Sequence, residues 1–268
     1  MVFIRKLRFP SLIIALAWFI AGCQPGKNMD PIDAGSTGIW NEYMIYPLSL
    51  FIKYLAELFD GNYGLAIVLL TLIVRFAIMP LMFKQQKRQI ETREKMIEIQ
   101  PEIKELKEKY NETSSPENKQ AMQKEMMEIY QKHAFNPVKS MGCLPMLIQL
   151  PILIGVYQAI MRTPEIAEHT FLWFDLGSSD PVLPVIAALV YVVQFRVTLI
   201  GSDPAQQKQM AVFGYITPLM MGMFSFVVPA ALPLYWTVGG IFLLFQTALF
   251  KWIYREKNAE LRQLAEQK

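Results

Sequence analysis

Five stretches of this chain are each long and apolar enough to cross a lipid bilayer, and that limits its fold more than any other feature. They are Gly64–Met82, Cys143–Met161, Val182–Ile200, Met210–Val228 and Leu232–Phe250, 19 residues apiece. About 20 residues at 1.5 Å each cover the hydrocarbon core. No water reaches the backbone there, so a single chain of such runs is satisfied only as helices. Charged residues make up 18% of the chain, against about a quarter in soluble domains. The expected class is therefore an all-α integral membrane protein with five transmembrane helices.

The chain opens on Arg5, Lys6 and Arg8, followed by the short apolar stretch "SLIIALAWFIAGC". A positive start, a short apolar run and small residues before a cut describe a signal peptide, 1–22. The sequence Ile20-Ala21-Gly22-Cys23 is similar to a lipobox, with cleavage between Gly22 and Cys23 and a lipid on the cysteine. The alternative is an uncleaved first helix with an incidental cysteine. Cys143, the other of the 2 cysteines, then has no disulfide partner and reads as a small apolar residue.

Lys and Arg set the orientation. Segment 84–139, the loop holding Lys208 and the stretch after Phe250 contain 12, 1 and 5 of them; the alternate segments contain 2, 1 and 0. The richer set is cytoplasmic, which leaves the mature N-terminus outside. The organisation expected is an extracytoplasmic N-terminus, 23–61; spans at 62–83, 140–162, 182–200, 210–228 and 232–252; an outer loop, 163–181; an inner loop, 201–209; and a cytoplasmic tail, 253–268. Within 23–61, Trp40, Tyr43, Tyr46, Phe51 and Phe59 give an aromatic face suited to a helix lying in the interface, or alternatively to a packing helix.

Segment 84–139 is the one sizeable soluble element. Ile90, Ile97, Ile103, Leu106 and Tyr110 keep helical spacing, "NETSSPEN" breaks it, and Met122, Met126, Ile129 and Tyr130 resume it. This predicts a cytoplasmic helical hairpin with a thin apolar stripe, either a solvated face or a docking surface for a partner.

The sequence carries no P-loop, GxSxG, HExxH or CxxC motif, and its 2 histidines, His133 and His169, fall on opposite sides of the membrane in this topology. It offers no cofactor or metal site, no enzyme chemistry and no specific nucleic-acid site; the covalent lipid on Cys23 is the only added group expected.

One residue breaks the apolar pattern. Arg75 lies inside the first span, seven residues from Met82 and so about 10 Å below its cytoplasmic end. A central Arg costs about 2.5–3.5 kcal/mol on insertion, which the span's eleven Leu, Ile, Val and Phe side chains offset at about 0.3–0.6 kcal/mol each. An intramembrane Arg pairs with an acid or faces a watered cavity. None of the five spans contains Asp or Glu, so a cavity is expected; bonding to backbone carbonyls in a closed bundle is the alternative. Gln149, Gln194, Tyr215 and Gln246 fall at a similar depth from the cytoplasmic side, and Thr71 lies one turn before Arg75 on the same face. Each Gln alone equally suits a helix–helix hydrogen bond; their shared depth suggests a polar, basic pocket open to the cytoplasm. An acidic or polar segment attached to an apolar one fits such a pocket.

Together the lipobox, the five spans, Arg75, the cytoplasmic hairpin, "GCLPMLIQLPILIGVY" and "LPLYWTVGG" resemble the YidC/Oxa/Alb family of membrane protein insertases, above all its Gram-positive lipoprotein form. The resemblance covers nearly all of the mature chain. It implies a hydrophilic groove open to cytoplasm and lipid, with the functional arginine at Arg75, a polar position at Thr71, a glutamine at Gln149 and an aromatic pair at Tyr235 and Trp236. Gln194, Tyr215 and Gln246 come from the depth argument. The implied activity is insertion of nascent membrane proteins among membrane lipids, without nucleotide hydrolysis, alone or with the Sec translocon and the ribosome. Met220, Met221 and Met223 offer an adaptable apolar surface or ordinary packing. The competing readings are a small-molecule or ion transporter with an anion site at Arg75, and an assembly scaffold.

Overall fold

The computed structural model of the protein describes residues 30–110, 116–135, 143–200 and 204–266. The segment expected to be a signal peptide, with Gly22 and Cys23, lies outside them. The described chain is all-helical apart from one two-stranded ribbon. A π-helical turn, Asn41–Ile45, leads into α1 (Tyr46–Leu58), followed by α2 (Tyr63–Lys109), α3 (Pro116–Lys132), α4 (Cys143–Met161) and a single turn, α5 (Pro164–Ala167). The strands β1 (Thr170–Phe171) and β2 (Phe174–Asp175) come next, then α6 (Leu183–Leu199), α7 (Pro204–Ser225), α8 (Ala231–Ile253) and α9 (Arg255–Glu266). Tyr63–Lys109 and Ala231–Ile253 are long and apolar enough to cross a membrane by length and composition; Gln149–Met161 and Leu183–Leu199 are shorter apolar helices.

The chain divides into two compact units, and the boundary falls inside α2, α4, α6, α7 and α8. The first takes the chain up to Leu70, Ile148–Val185 and Gly222–Trp236. Its α1 buries Ser49, Ile52, Leu55 and Ala56 after Ile45, a helical spacing that defines one face. Tyr43 and Tyr54 point outward instead, at 76% and 56% exposure, and Trp40 is exposed as well. The aliphatic stripe thus packs inward while aromatic rings stay on the surface. Ser49 Oγ lies 2.6 Å from Thr163 Oγ1, which itself donates to the Ala159 carbonyl at 2.6 Å. With its one proton so used, Thr163 accepts from Ser49, and both hydroxyls are satisfied although buried. Lys53 pairs with Glu165 at 2.5 Å. Asn62 then starts α2, its Oδ1 accepting the Leu65 N–H at 3.0 Å. β1 and β2 pair antiparallel, Thr170 with Asp175 and Phe171 with Phe174.

The second unit comprises Thr71–Leu147, Ile186–Met221 and Thr237–Lys268. Here α2 does not stop at the end of the first apolar run: it continues unbroken to Lys109, 47 residues in all. Residues 84–109 are nearly all Lys, Arg, Gln, Glu, Ile and Met, mostly strong helix formers with no glycine among them. α3 runs back along this distal part. Lys109 and Tyr110 bond Glu125, while Lys132 and His133 meet Glu102, a pairing that makes the two helices antiparallel. Between them Ile99, Ile103 and Phe135 form a small core with Met96, Met126, Ile129 and Tyr130 around it. A second cluster joins Ile90 and Ile97 to Phe250 of α8 and Leu261 of α9. The apolar stripe of α2 therefore serves two partners, and the tail is a packed helix with Lys257 bonded to Glu94 at 2.6 Å.

Candidate functional site

Within the second unit, α2 and α8 run side by side in the same direction. Arg75 meets Gly239, Phe76 meets Phe242 edge-on at 4.9 Å, Phe83 meets Phe250 at 5.9 Å and Lys257, just past α8, reaches Glu94. At each step both residue numbers rise together. The helix pair holds Arg75 against a glycine: a β-carbon on Gly239 would stand 2.8 Å from Nη2 and 3.3 Å from Nε. The guanidinium thus rests on bare α8 backbone, where any larger residue would move it.

Arg75 is half-buried, and among the described residues it has neither an ion pair nor a hydrogen bond. Burying part of a guanidinium without an acid costs desolvation that nothing within the described residues repays. Thr71, one turn before it, is fully buried and does have a partner. On α8, Thr237 and Gln246 are buried, and Thr237 Oγ1 and Gln246 Nε2 lack partners among the described residues. Gln246 follows Gly239 by seven residues, two turns along the same face. An orphaned buried amide costs about 1–3 kcal/mol, so this stretch of α2 and α8 carries unspent hydrogen-bonding capacity. Thr247, by contrast, is satisfied by the Leu243 carbonyl at 2.8 Å.

The remaining residues expected in the site are placed as follows. Gln194 Nε2 donates to Thr198 Oγ1 at 3.1 Å, a bond within α6. Tyr215 packs edge-on against Phe195 at 5.0 Å, with the Arg196 guanidinium 5.6 Å over its ring. Arg75, Thr71, Gln194, Tyr215 and Gln246 belong to the second unit; Gln149, Tyr235 and Trp236 belong to the first. There Gln149 is half-buried, Tyr235 is buried and has a partner, and Trp236 tilts against Phe224 at 5.8 Å. Cys23 is outside the described residues.

Gly239 is the residue that reading the sequence overlooked. The doublet Gly239-Gly240 was its available signal. Gly240 serves packing, since a β-carbon there would stand 2.8 Å from Val190 Cγ1; Gly239 serves the arginine.

Two helices long and apolar enough to cross a membrane, buried polar side chains and, among the described residues, an arginine with no acid partner fit a helical membrane protein. The family described as 60Kd inner membrane protein matches residues 54–258. The chain is 48% identical to membrane protein insertase YidC 2 of Bacillus anthracis over 249 residues, 92% of this chain and 94% of that protein. It is 43% identical to membrane protein insertase MisCA of Bacillus subtilis, over 96% of this chain and 95% of that protein. It is 44% identical to membrane protein insertase YidC 2 of Listeria innocua, over 96% and 87%. The protein belongs to the 60Kd inner membrane protein family, as the resemblance in its sequence indicated.

Proposed function

We propose that this protein is a membrane protein insertase in which Arg75 captures the acidic or polar segment of a nascent client while the client's apolar segment passes to lipid. The observation that carries this reading is the Arg75–Gly239 contact: a half-buried guanidinium, seated on backbone, with no carboxylate among the described residues. The relatives' names support the activity, and the geometry is consistent with a physical role for the arginine. A carboxylate arriving with the client gives the charge a partner in a medium where attraction is stronger than in water. The net gain is small after both ions lose hydration, which suits capture followed by release.

In this reading α2, α4, α6, α7 and α8 cross the membrane, the α2–α3 pair stands in the cytoplasm as a receiving hairpin, and the lipidated N-terminus at Cys23 lies outside. Thr71 and Gln246 extend the polar surface around Arg75. The step breaks no covalent bond; burial of the client's apolar segment drives it. The Sec translocon and the ribosome are partners the reading accommodates.

The test is reconstitution in liposomes with a single-span client whose translocated segment carries acids, and a matched client with those acids changed to amides. Arg75→Ala should slow insertion of the acidic client far more than of the neutral one. Equal insertion of the acidic client by Arg75→Ala and the unsubstituted protein would sink the capture role.

A further inference from the structure

A cavity of about 340 Å³ lies in the second unit, apart from Arg75, where α6 and α8 finish and α9 begins. Its wall includes three cations, Arg93, Lys251 and Arg255, and three side-chain amides, Gln86, Gln89 and Asn258. No carboxylate lines it among the described residues. The nearby acid Glu94 is turned to Lys257 instead, at 2.6 Å, and Glu260 lies 3.4 Å from the same ammonium. Lys251 is fixed by the last turn of α6: its Nζ donates to the Thr198 carbonyl at 2.7 Å and also to the Ile200 carbonyl. That ties an ammonium to a helix C-terminus, where positive charge is favoured, and holds it at the wall. Arg255 has no hydrogen bond or ion pair among the described residues. Gln86 Oε1 is buried without a partner among the described residues.

We infer that this cavity is a binding site for the phosphate of an anionic phospholipid headgroup. A fixed ammonium and two guanidiniums match a phosphate's spread negative charge, and Arg255 offers bidentate donors. The neutral amides supply further donors, and the orphaned Gln86 oxygen suits a headgroup hydroxyl. What selects a lipid over a free anion is the rim. Ile200, which lines the cavity beside the cationic wall, is an exposed large apolar residue, and Phe250 and Ala259 add apolar surface to the lining. An amphiphile satisfies both surfaces at once; a free phosphate leaves the apolar rim in water. Basic pockets at the cytoplasmic ends of membrane helices are the recurring form of such sites. The position at the membrane boundary rests on α6 and α8 crossing the bilayer, as proposed above.

The experiment measures binding and not insertion, so its failure leaves the insertase reading standing. The full chain, purified in neutral detergent, is titrated with phosphatidylglycerol or with phosphatidylcholine of the same acyl chains, and bound lipid is counted by native mass spectrometry. Inorganic phosphate and a short RNA oligonucleotide serve as competitors. Phosphatidylglycerol should bind more tightly than phosphatidylcholine. Arg255→Gln should weaken it about fivefold, the usual effect of one cation near an anionic surface, and adding Asn258→Asp should weaken it further. Arg88→Gln, an exposed arginine outside the cavity, should leave it unchanged, and unaltered circular dichroism melting would confirm that each variant folds. Equal loss in Arg88→Gln, or no preference between the two lipids, overturns the site. Saturation by inorganic phosphate that phosphatidylglycerol fails to displace overturns the lipid assignment, as does displacement of the lipid by RNA.

Discussion

The guanidinium of Arg75 lies so close to the backbone of Gly239 that a β-carbon there would approach Nη2 to 2.8 Å. One residue supplies the charge, and the other sets where it sits.

Gly239→Ala should therefore separate stability from activity. Alanine favours a helix interior by about 1 kcal/mol over glycine. The atom it would crowd is the far end of a flexible side chain, which swings aside at little cost to folding. Melting in detergent should stay the same or rise, while insertion of an acid-bearing client falls because the charge has moved. Lower melting with unchanged insertion would show that Gly239 serves helix packing alone.

The Ser49–Thr163 pair predicts a coupling. Thr163→Val removes the group that accepts from Ser49, leaving a buried hydroxyl unsatisfied at about 1–3 kcal/mol. Ser49→Ala should cost a similar amount, and the double variant should cost less than the two singles combined, since no polar group is then stranded. A double-mutant cycle by denaturant unfolding in detergent reads the coupling; additive losses would mean the two hydroxyls do not depend on each other.

How much of this was legible from the sequence differs residue by residue. Arg75 was legible because a charge among apolar residues is visible whatever the fold. Gly239 was not, because its role depends on which helix faces α2, and that is a tertiary fact. Ile90, Ile97, Ile103 and Leu106 were correctly placed on an apolar stripe, and all are buried. Periodicity did not reveal that the stripe divides, with Ile90 and Ile97 facing α8 and α9 and the overlooked Ile99 joining Ile103 and Phe135. On α1 the conspicuous aromatic rings drew attention, yet Ile45, Ile52 and Ala56 make the buried face. Hydrophobicity alone does not say which of two apolar faces turns inward. The cavity of Arg93, Lys251 and Arg255 joins residues from helices distant in sequence, so no local pattern announced it.

The α2–α3 pair should loosen in acid. Bonds from His133 and Lys132 hold the Glu102 carboxyl below its ordinary value of 4.5, and bonds from Lys109 and Tyr110 do the same for Glu125. A carboxyl whose value is lowered on folding binds fewer protons folded than unfolded, so its stabilisation is complete above about pH 4.5 and is lost as pH falls through the lowered value. Spin labels at Lys104 and Glu128, both exposed, should give a narrow distance distribution at pH 7 that broadens below pH 4.5. Joint substitution of Glu102→Gln and Glu125→Gln should broaden it at pH 7 and remove the pH dependence. An unchanged distribution down to pH 3 would assign the pairing to the Ile99–Ile103–Phe135 cluster alone.

Leu261 predicts how the tail is held. It is fully buried against Ile90, Ile97 and Phe250, whereas the ion pair of Lys257 with Glu94 is partly exposed to water. Exposed pairs contribute about 0–1 kcal/mol, and truncating a buried leucine costs about 2–5 kcal/mol, so the apolar contact should dominate. Leu261→Ala should release α9 and speed its cleavage by protease, while Lys257→Met should change the cleavage rate only slightly. Because α9 supplies Arg255 and Asn258 to the basic cavity, Leu261→Ala should also weaken phosphatidylglycerol binding, although it lies outside the cavity. Equal protease sensitivity in the two variants would transfer the anchoring role to the ion pair.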